Sequence, residues 1–205
     1  MQDSEGGNIY YGRQIRAESP ASQRRKERNA READELERQG YRVERNLHPN
    51  GAYFAVIGNT HQQHEIEVGR IFAENGFAFT LDRENNVKIK LKSGESITLP
   101  SLDGRVEGFS HEISAFDSKR ADPRNVTDAI KHSRKASKRS GSYSIQADIA
   151  ITVARKGSSF HRQQIKEGVD EYKRQVRTGQ TQAKPIMYLH VNETTRAIYY
   201  WNIKP

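Results

Sequence analysis

The stretch Ser101-Leu-Asp-Gly-Arg-Val-Glu-Gly108, followed after two residues by His111-Glu-Ile-Ser114, decides how this chain reads. Arg105–Val106 and His111–Phe116 form short strands on either side of Gly108, so the segment reads as a hairpin. Along a strand successive side chains alternate between faces, so Glu112 and Ser114 share one face while His111 and Ile113 share the other. A bend near Gly108 is expected to bring Asp103 back beside Glu112. Asp-Gly is also an ordinary turn pair, but Glu is depleted in strands, so Glu112 calls for a reason. Two converging carboxylates make a hard, oxygen-rich site of the kind that holds Mg²⁺, with Mn²⁺ or Zn²⁺ as substitutes.

Upstream of the hairpin, Glu65, Val68 and Phe72, with Ile71 alongside, mark an amphipathic helix over 61–75 that stops at Gly76. A strand at 77–81 and a hairpin of 87–91 with 97–99 around Ser93-Gly94 follow. Glu65 falls on the apolar stripe of its helix. An unpaired carboxylate there is costly to bury, so Glu65 is a candidate third ligand. Downstream, Asp122-Pro123 suits a helix start, with Val126, Ala129, Ile130 and Ser133 on its inner face. A strand at 147–153, a helix carrying Ile165, Val169, Tyr172 and Val176, and two closing strands at 186–191 and 198–203 complete the pattern. Short apolar strands separated by helices predict an α/β fold, with a central mixed β-sheet flanked by helices. Residues 1–58 read as an N-terminal extension: a polar tail, a helix over 22–39 and a hairpin around Asn50-Gly51. Residues 59–205 read as the main domain.

The chain has 205 residues, 34% of them hydrophobic, which suits one domain with an economical core. It has no Cys, which excludes disulfides, thiol catalysis and Cys-ligated metal clusters. No apolar run approaches the ~18 residues of a membrane span, and the first residues lack the apolar core of a signal peptide. A cytoplasmic site of action is expected. Lys and Arg number 34 against 26 Asp and Glu, and a balance of +8 favours a polyanionic partner. From Lys119 to Arg139 there are eight basic residues and two acidic ones, a local excess that favours phosphate binding. Lys131, Arg134, Lys135 and Lys138 are spaced as one face of a helix, and with Lys119 they are the expected nucleic-acid contacts.

The order of elements, with Glu65-Ile-Glu-Val-Gly-Arg-Ile-Phe-Ala-Glu-Asn-Gly-Phe77 on the first helix and Asp103 and Glu112 on the hairpin, resembles the PD-(D/E)XK nuclease superfamily. In particular it resembles the C-terminal nuclease toxin domains of contact-dependent growth inhibition (CdiA-type) and related polymorphic toxins. The likeness covers about residues 59–205. It implies a metal-dependent endonuclease acting on tRNA or DNA, delivered to the cytoplasm of a target cell and matched by an immunity protein in the producer. Asp103, Glu112 and Glu65 would hold the metal, and the carbonyl of Ile113 would supply a further oxygen. Two positions depart from the family. Leu102 stands where Pro precedes the Asp, and Ser114 stands where the family carries Lys. Ser114, or a lysine arriving from 119 or 131, would then touch the nucleophile or phosphate. Other readings are a nuclease fold that binds without cutting, an interaction domain whose partner docks on the leader, and a metal-independent ribonuclease using His, with Phe160-His161-Arg162 the most tempting cluster. Tyr199, Tyr200 and Trp201 read as core and edge of the last strand rather than as a base-stacking platform.

Overall fold

A computed structural model describes residues 8–10, 20–83, 87–90, 92–94, 96–99, 102–107, 113–120, 127, 134–136, 144–157, 162–181 and 186–203. Among these the chain is an α/β protein with three helices: α1 (Pro20–Arg38), α2 (Gln63–Glu74) and α3 (Arg162–Arg177). One mixed block holds β2 (Arg42–Glu44), β3 (Phe54–Val56), β4 (Ala78–Leu81) and β7 (Gly104–Glu107). A second holds β11 (Ile149–Ala154), β12 (Ile186–Asn192) and β13 (Ala197–Ile203). Neither block is closed. Strand β8 (Ile113–Arg120) joins them and β1 (Asn8–Tyr10) adds an edge, giving the order β1-β13-β12-β11-β8-β7-β4-β3-β2. Two small pairs stand apart: β5 (Val87–Lys90) with β6 (Ser96–Leu99), and β9 (Arg134–Ala136) with β10 (Ser144–Gln146).

The helices cover both faces of the sheet. On one face α2 sets Val68, Ile71 and Phe72 over Phe54, Val56, Phe79, Leu81, Val106, Ile149, Ile151, Val153, Leu189, Val191 and Ile198. The approach is close at Gly69, where a Cβ would collide with the Phe54 ring. Phe72 stacks on Phe79 with centroids 4.8 Å apart. On the other face α1 lays Ala33 and Leu36 over Tyr53, Ala55 and Ala78. There too α3 lays Ile165, Val169 and Tyr172 over Ala150, Ala154, Tyr188 and Trp201. The cross-strand register links these residues as one continuous face, running Ala55, Thr80, Arg105, Ala115 along one row and Asp117, Ala150, Tyr188, Trp201 along another.

Most expected elements form within a residue or two of their predicted ends, which is the usual scatter of helix and strand boundaries. Three findings go beyond or against the sequence reading. The leader is part of the sheet: β3 pairs in parallel with β4, so the boundary read at 58/59 crosses continuous hydrogen bonding. Asn29 and Asn50, both buried, tie α1 to it, Asn29 Nδ2 donating to the Asn50 carbonyl at 3.1 Å and Asn50 Nδ2 to the Gly76 carbonyl at 2.8 Å. Strand β8 runs to Arg120, four residues past the predicted Phe116, because β11 pairs with it in parallel from Phe116 to Arg120. The basic helix expected over 131–138 does not hold at its centre. Arg134–Ala136 is a strand paired antiparallel with Ser144–Gln146. The apolar positions of the expected inner face, Val126, Ala129 and Ile130, end before Arg134, so at 134–136 only charge spacing favours a helix and ladder hydrogen bonds override it. The helix start at Asp122-Pro123 lies outside the described residues, apart from Thr127, which is helical and whose hydroxyl donates to the Gly168 carbonyl of α3 at 2.9 Å.

Candidate functional site

The register between β7 and β8 sets the site. Gly104 pairs with Phe116 and Glu107 with Ile113. Asp103 lies one residue before β7, and its carbonyl accepts a hydrogen bond from the Asp82 amide at 3.1 Å, so the ladder continues through it. Carried one step further, the β7–β8 register sets Asp103 level with Asp117. Position 117 in turn pairs with Ala150 of β11, and Lys119 pairs with Thr152. Asp103, Arg105 and Glu107 of β7, and Asp117 and Lys119 of β8, therefore belong to the face that α1 and α3 flank.

This register redistributes the sequence-predicted residues. Strands β7 and β8 pair antiparallel, and Asp103 stands at the end of β7 away from Glu107, level with Asp117. Glu112 lies outside the described residues, as do Lys131 and Lys138. Ser114 pairs with Val106, a core residue beneath α2, and so occupies the other face from Asp103. Lys119 is on the Asp103 face. Arg134 and Lys135 belong to β9. Asp117-Ser118-Lys119 is thus the Asp-x-Lys on the strand beside Asp103. Its signal in the sequence is a charged–small–charged alternation after the apolar Ile113-Ser-Ala-Phe116. A strand taken to end at Phe116 hid it.

Glu65 has a local explanation. It is the third residue of α2, where its Oε2 accepts from the Gln62 amide at 2.8 Å, satisfying one of the free amides at the helix start. The His61 ring lies against the same oxygen, with Nδ1 at 3.7 Å. Glu65 thus serves as a cap at the end of the sheet where Asp82 and Asp103 lie, on a helix packed against the opposite face.

Around Asp103 the charges are ordered. Arg105 forks onto Asp82, with Nε–Oδ2 and Nη2–Oδ1 both at 3.0 Å, and the Tyr41 hydroxyl donates to Asp82 Oδ1 at 2.8 Å. Burial, then the Asp82 carboxylate, raises the Tyr41 pKa, so its proton stays on. Asp82 is engaged by these partners, while Asp103 is half-buried. Among the described residues no three His, Asp or Glu side chains form a metal cage.

Beyond Lys119 the same cross-strand row continues through Thr152, His190 and Tyr199. Thr152 Oγ1 lies 3.0 Å from His190 Nδ1 and 2.5 Å from the Tyr188 hydroxyl. His190 is 1% exposed. Burial lowers its pKa to about 3, so the ring is neutral near pH 7 and is not a general acid there. His64 meets Arg155 at 3.2 Å, and His161 lies outside the described residues.

No helix among the described residues is long and apolar enough to cross a membrane. Comparison with models of known protein families, with curated proteins and with solved structures returns no match.

Proposed function

We infer that the chain is a metal-dependent endonuclease of PD-(D/E)XK type, with Asp103 on one strand and Asp117-Ser118-Lys119 on its neighbour as the working residues. The observation that carries this is the register: an Asp at the start of β7 stands level with the first residue of an Asp-x-Lys on β8. The order α2-β4-β7-β8-β11-α3-β12 around it supports the same reading. The lysine that the Ser114 position lacks is then Lys119, five residues on and on the Asp103 face.

Asp103 and Asp117 would hold the divalent ion, Mg²⁺ first, whose charge helps ionise a water and stabilises a phosphodiester under attack. Lys119 provides a cation for the attacked phosphate or a partner for the incoming water. Arg105 neutralises Asp82, which limits the repulsion that a third carboxylate would exert on the substrate. The basic excess between 119 and 139 holds the nucleic-acid backbone without reading sequence, so binding weakens steeply with salt. The likeness to toxin domains makes tRNA or DNA inside a target cell the substrate, and a cognate immunity protein the natural partner.

The test is incubation of the purified chain with total tRNA and with plasmid DNA, in Mg²⁺, Mn²⁺, Zn²⁺ or EDTA. Cleavage is expected with Mg²⁺ or Mn²⁺ and none in EDTA. Asp103→Ala and Asp117→Asn should each abolish it while leaving binding intact. Full activity in EDTA, or in both variants, would falsify this reading. If Glu112→Gln abolished cleavage while Asp117→Asn did not, the ligand would be Glu112.

A further inference from the structure

Between Asp82 and Asp103 the chain leaves the main sheet as an arm. Strand β5 opens at Val87 and β6 closes at Leu99, and the two pair antiparallel with each other rather than with the sheet. The root of the arm is fixed. The Asp82 amide donates to the Asp103 carbonyl at 3.1 Å, while the Arg105 fork and the Tyr41 hydroxyl hold the Asp82 carboxylate. The arm therefore springs from the residue read as a metal ligand. A chain spans at most ~3.6 Å per residue, so Lys88 stays within about 22 Å of Asp82.

The register sorts the arm into two kinds of position. Val87 pairs with Leu99 and Ile89 with Ile97, while Lys88 pairs with Thr98 and Lys90 with Ser96. Apolar residues thus take one set of alternate positions, and lysine or hydroxyl residues take the other. Lys88, Lys90 and Ser96 are exposed, as is Lys92 in the turn. Among the described residues none of these lysines has a carboxylate partner. The acids of this stretch, Glu84 and Glu95, lie outside both strands. A lone two-stranded hairpin is marginal in water, and like charges on one face weaken it further. The lysine row therefore does nothing to hold the hairpin together. It offers ammonium groups and hydroxyls, which bond phosphate oxygens and base-edge acceptors.

Shape narrows the partner. Two strands about 4.8 Å apart form a ribbon, and the major groove of B-DNA, about 12 Å wide, admits a two-stranded ribbon. The major groove of A-form RNA is too deep and narrow for side chains to read, and a single strand has no groove. We propose that the β5–β6 arm enters the major groove of duplex DNA, with Lys88 and Lys90 on the phosphates along its walls, and holds the duplex against Asp103. The proposal rests on the nuclease reading for the bond that is cut and deepens it by naming duplex DNA as the substrate class; the binding itself stands without it.

The experiment measures binding of the full chain to a short DNA duplex, to the RNA duplex of the same sequence and to the single DNA strand. Fluorescence anisotropy in EDTA across a salt series gives the affinities, and cleavage of the three is followed separately in Mg²⁺. The double variant Lys88→Gln/Lys90→Gln is expected to reduce the slope of log affinity against log salt by about two on the DNA duplex, one for each lost phosphate contact. It should leave the RNA duplex and the single strand unchanged. Both lysines are exposed, so the fold tolerates the change, and Lys173→Gln, exposed on α3, is the control for lost charge. An equal loss on all three nucleic acids, no loss on the DNA duplex, or a loss as large in Lys173→Gln would overturn the arm. Lysine-dependent binding of duplex DNA without any cleavage would uphold the arm and sink the nuclease reading. Metal-dependent cleavage of duplex DNA with full affinity in the double variant would do the reverse.

Discussion

The two faces of the sheet differ in kind. Under α2 the strands present Phe54, Val56, Phe79, Leu81, Ile149, Ile151, Val153, Leu189 and Val191, all buried and apolar. Under α1 and α3 the alternate positions of the same strands carry Ala55, Thr80, Arg105, Glu107, Ala150, Thr152 and His190. The first face is built to be filled. The second combines small residues with buried polar ones, which cost stability unless each finds a partner. Partners are present: Arg105 with Asp82, Glu107 with Arg28, and Thr152 with His190 and Tyr188. The contrast teaches that one face holds the fold while the other holds groups whose charge and hydrogen bonding exceed what packing needs, and Asp103, Asp117 and Lys119 belong to the second.

The contrast can be broken at either face. The largest effect is expected at the polar one. Asp103→Ala should lower Mg²⁺-dependent cleavage by about three orders of magnitude or more, since the ion supplies several kcal/mol of transition-state stabilisation. Its thermal midpoint should stay close to that of the parent. A large drop in melting temperature would instead make Asp103 a structural residue. On the apolar face, Ile151→Ala removes a side chain that is 0% exposed at the centre of the α2 core. It should cost about 2–5 kcal/mol in urea denaturation, the range for large cavities.

Gly69→Ala tests how closely α2 lies on the sheet. The added methyl meets the Phe54 ring, and overpacking of this kind costs about 1–3 kcal/mol, against a gain in helix propensity of about 1 kcal/mol. A variant more stable than the parent would show that α2 rides further out. The mildest effect concerns pH. His190 has a folded pKa near 3 against an ordinary 6.5, so between those values the unfolded chain binds a proton that the folded chain refuses. Stability from this group is therefore complete above about pH 6.5. It falls as pH drops, at up to about 1.4 kcal/mol per unit. His190→Asn should flatten that part of the stability–pH curve. An unchanged slope would mean that the ring takes up a proton within the fold.

Much of the architecture was legible in the residues. The stripe Val68, Ile71, Phe72 announced α2, and Gly76 its end. The apolar run at 147–153 announced a strand, observed as Ile149–Ala154, because continuous apolar character reads the same whatever packs on it. Asp103 was legible as a candidate ligand at the head of a strand pair. Asp117-Ser118-Lys119 was not, because the strand was read as ending at Phe116 and the register that sets position 117 level with Asp103 is made with β7 and β11. Nothing local says where a strand ends when its neighbour is still unknown.

The sequence by itself determined the number and kind of most elements, the amphipathic helices, the absence of thiol chemistry and the positive balance. These follow from hydrophobic period and composition, which are local properties. Tertiary structure alone decided that the leader joins the sheet through β3, that Arg134–Ala136 pairs as a strand, that β8 extends to Arg120, and that Asp103 stands level with Asp117. Each of these is a choice of register or partner between segments distant in the chain. A slip of one residue along a strand sends every side chain to the other face. The assignment of a site therefore waits on hydrogen bonds that only the assembled sheet can make.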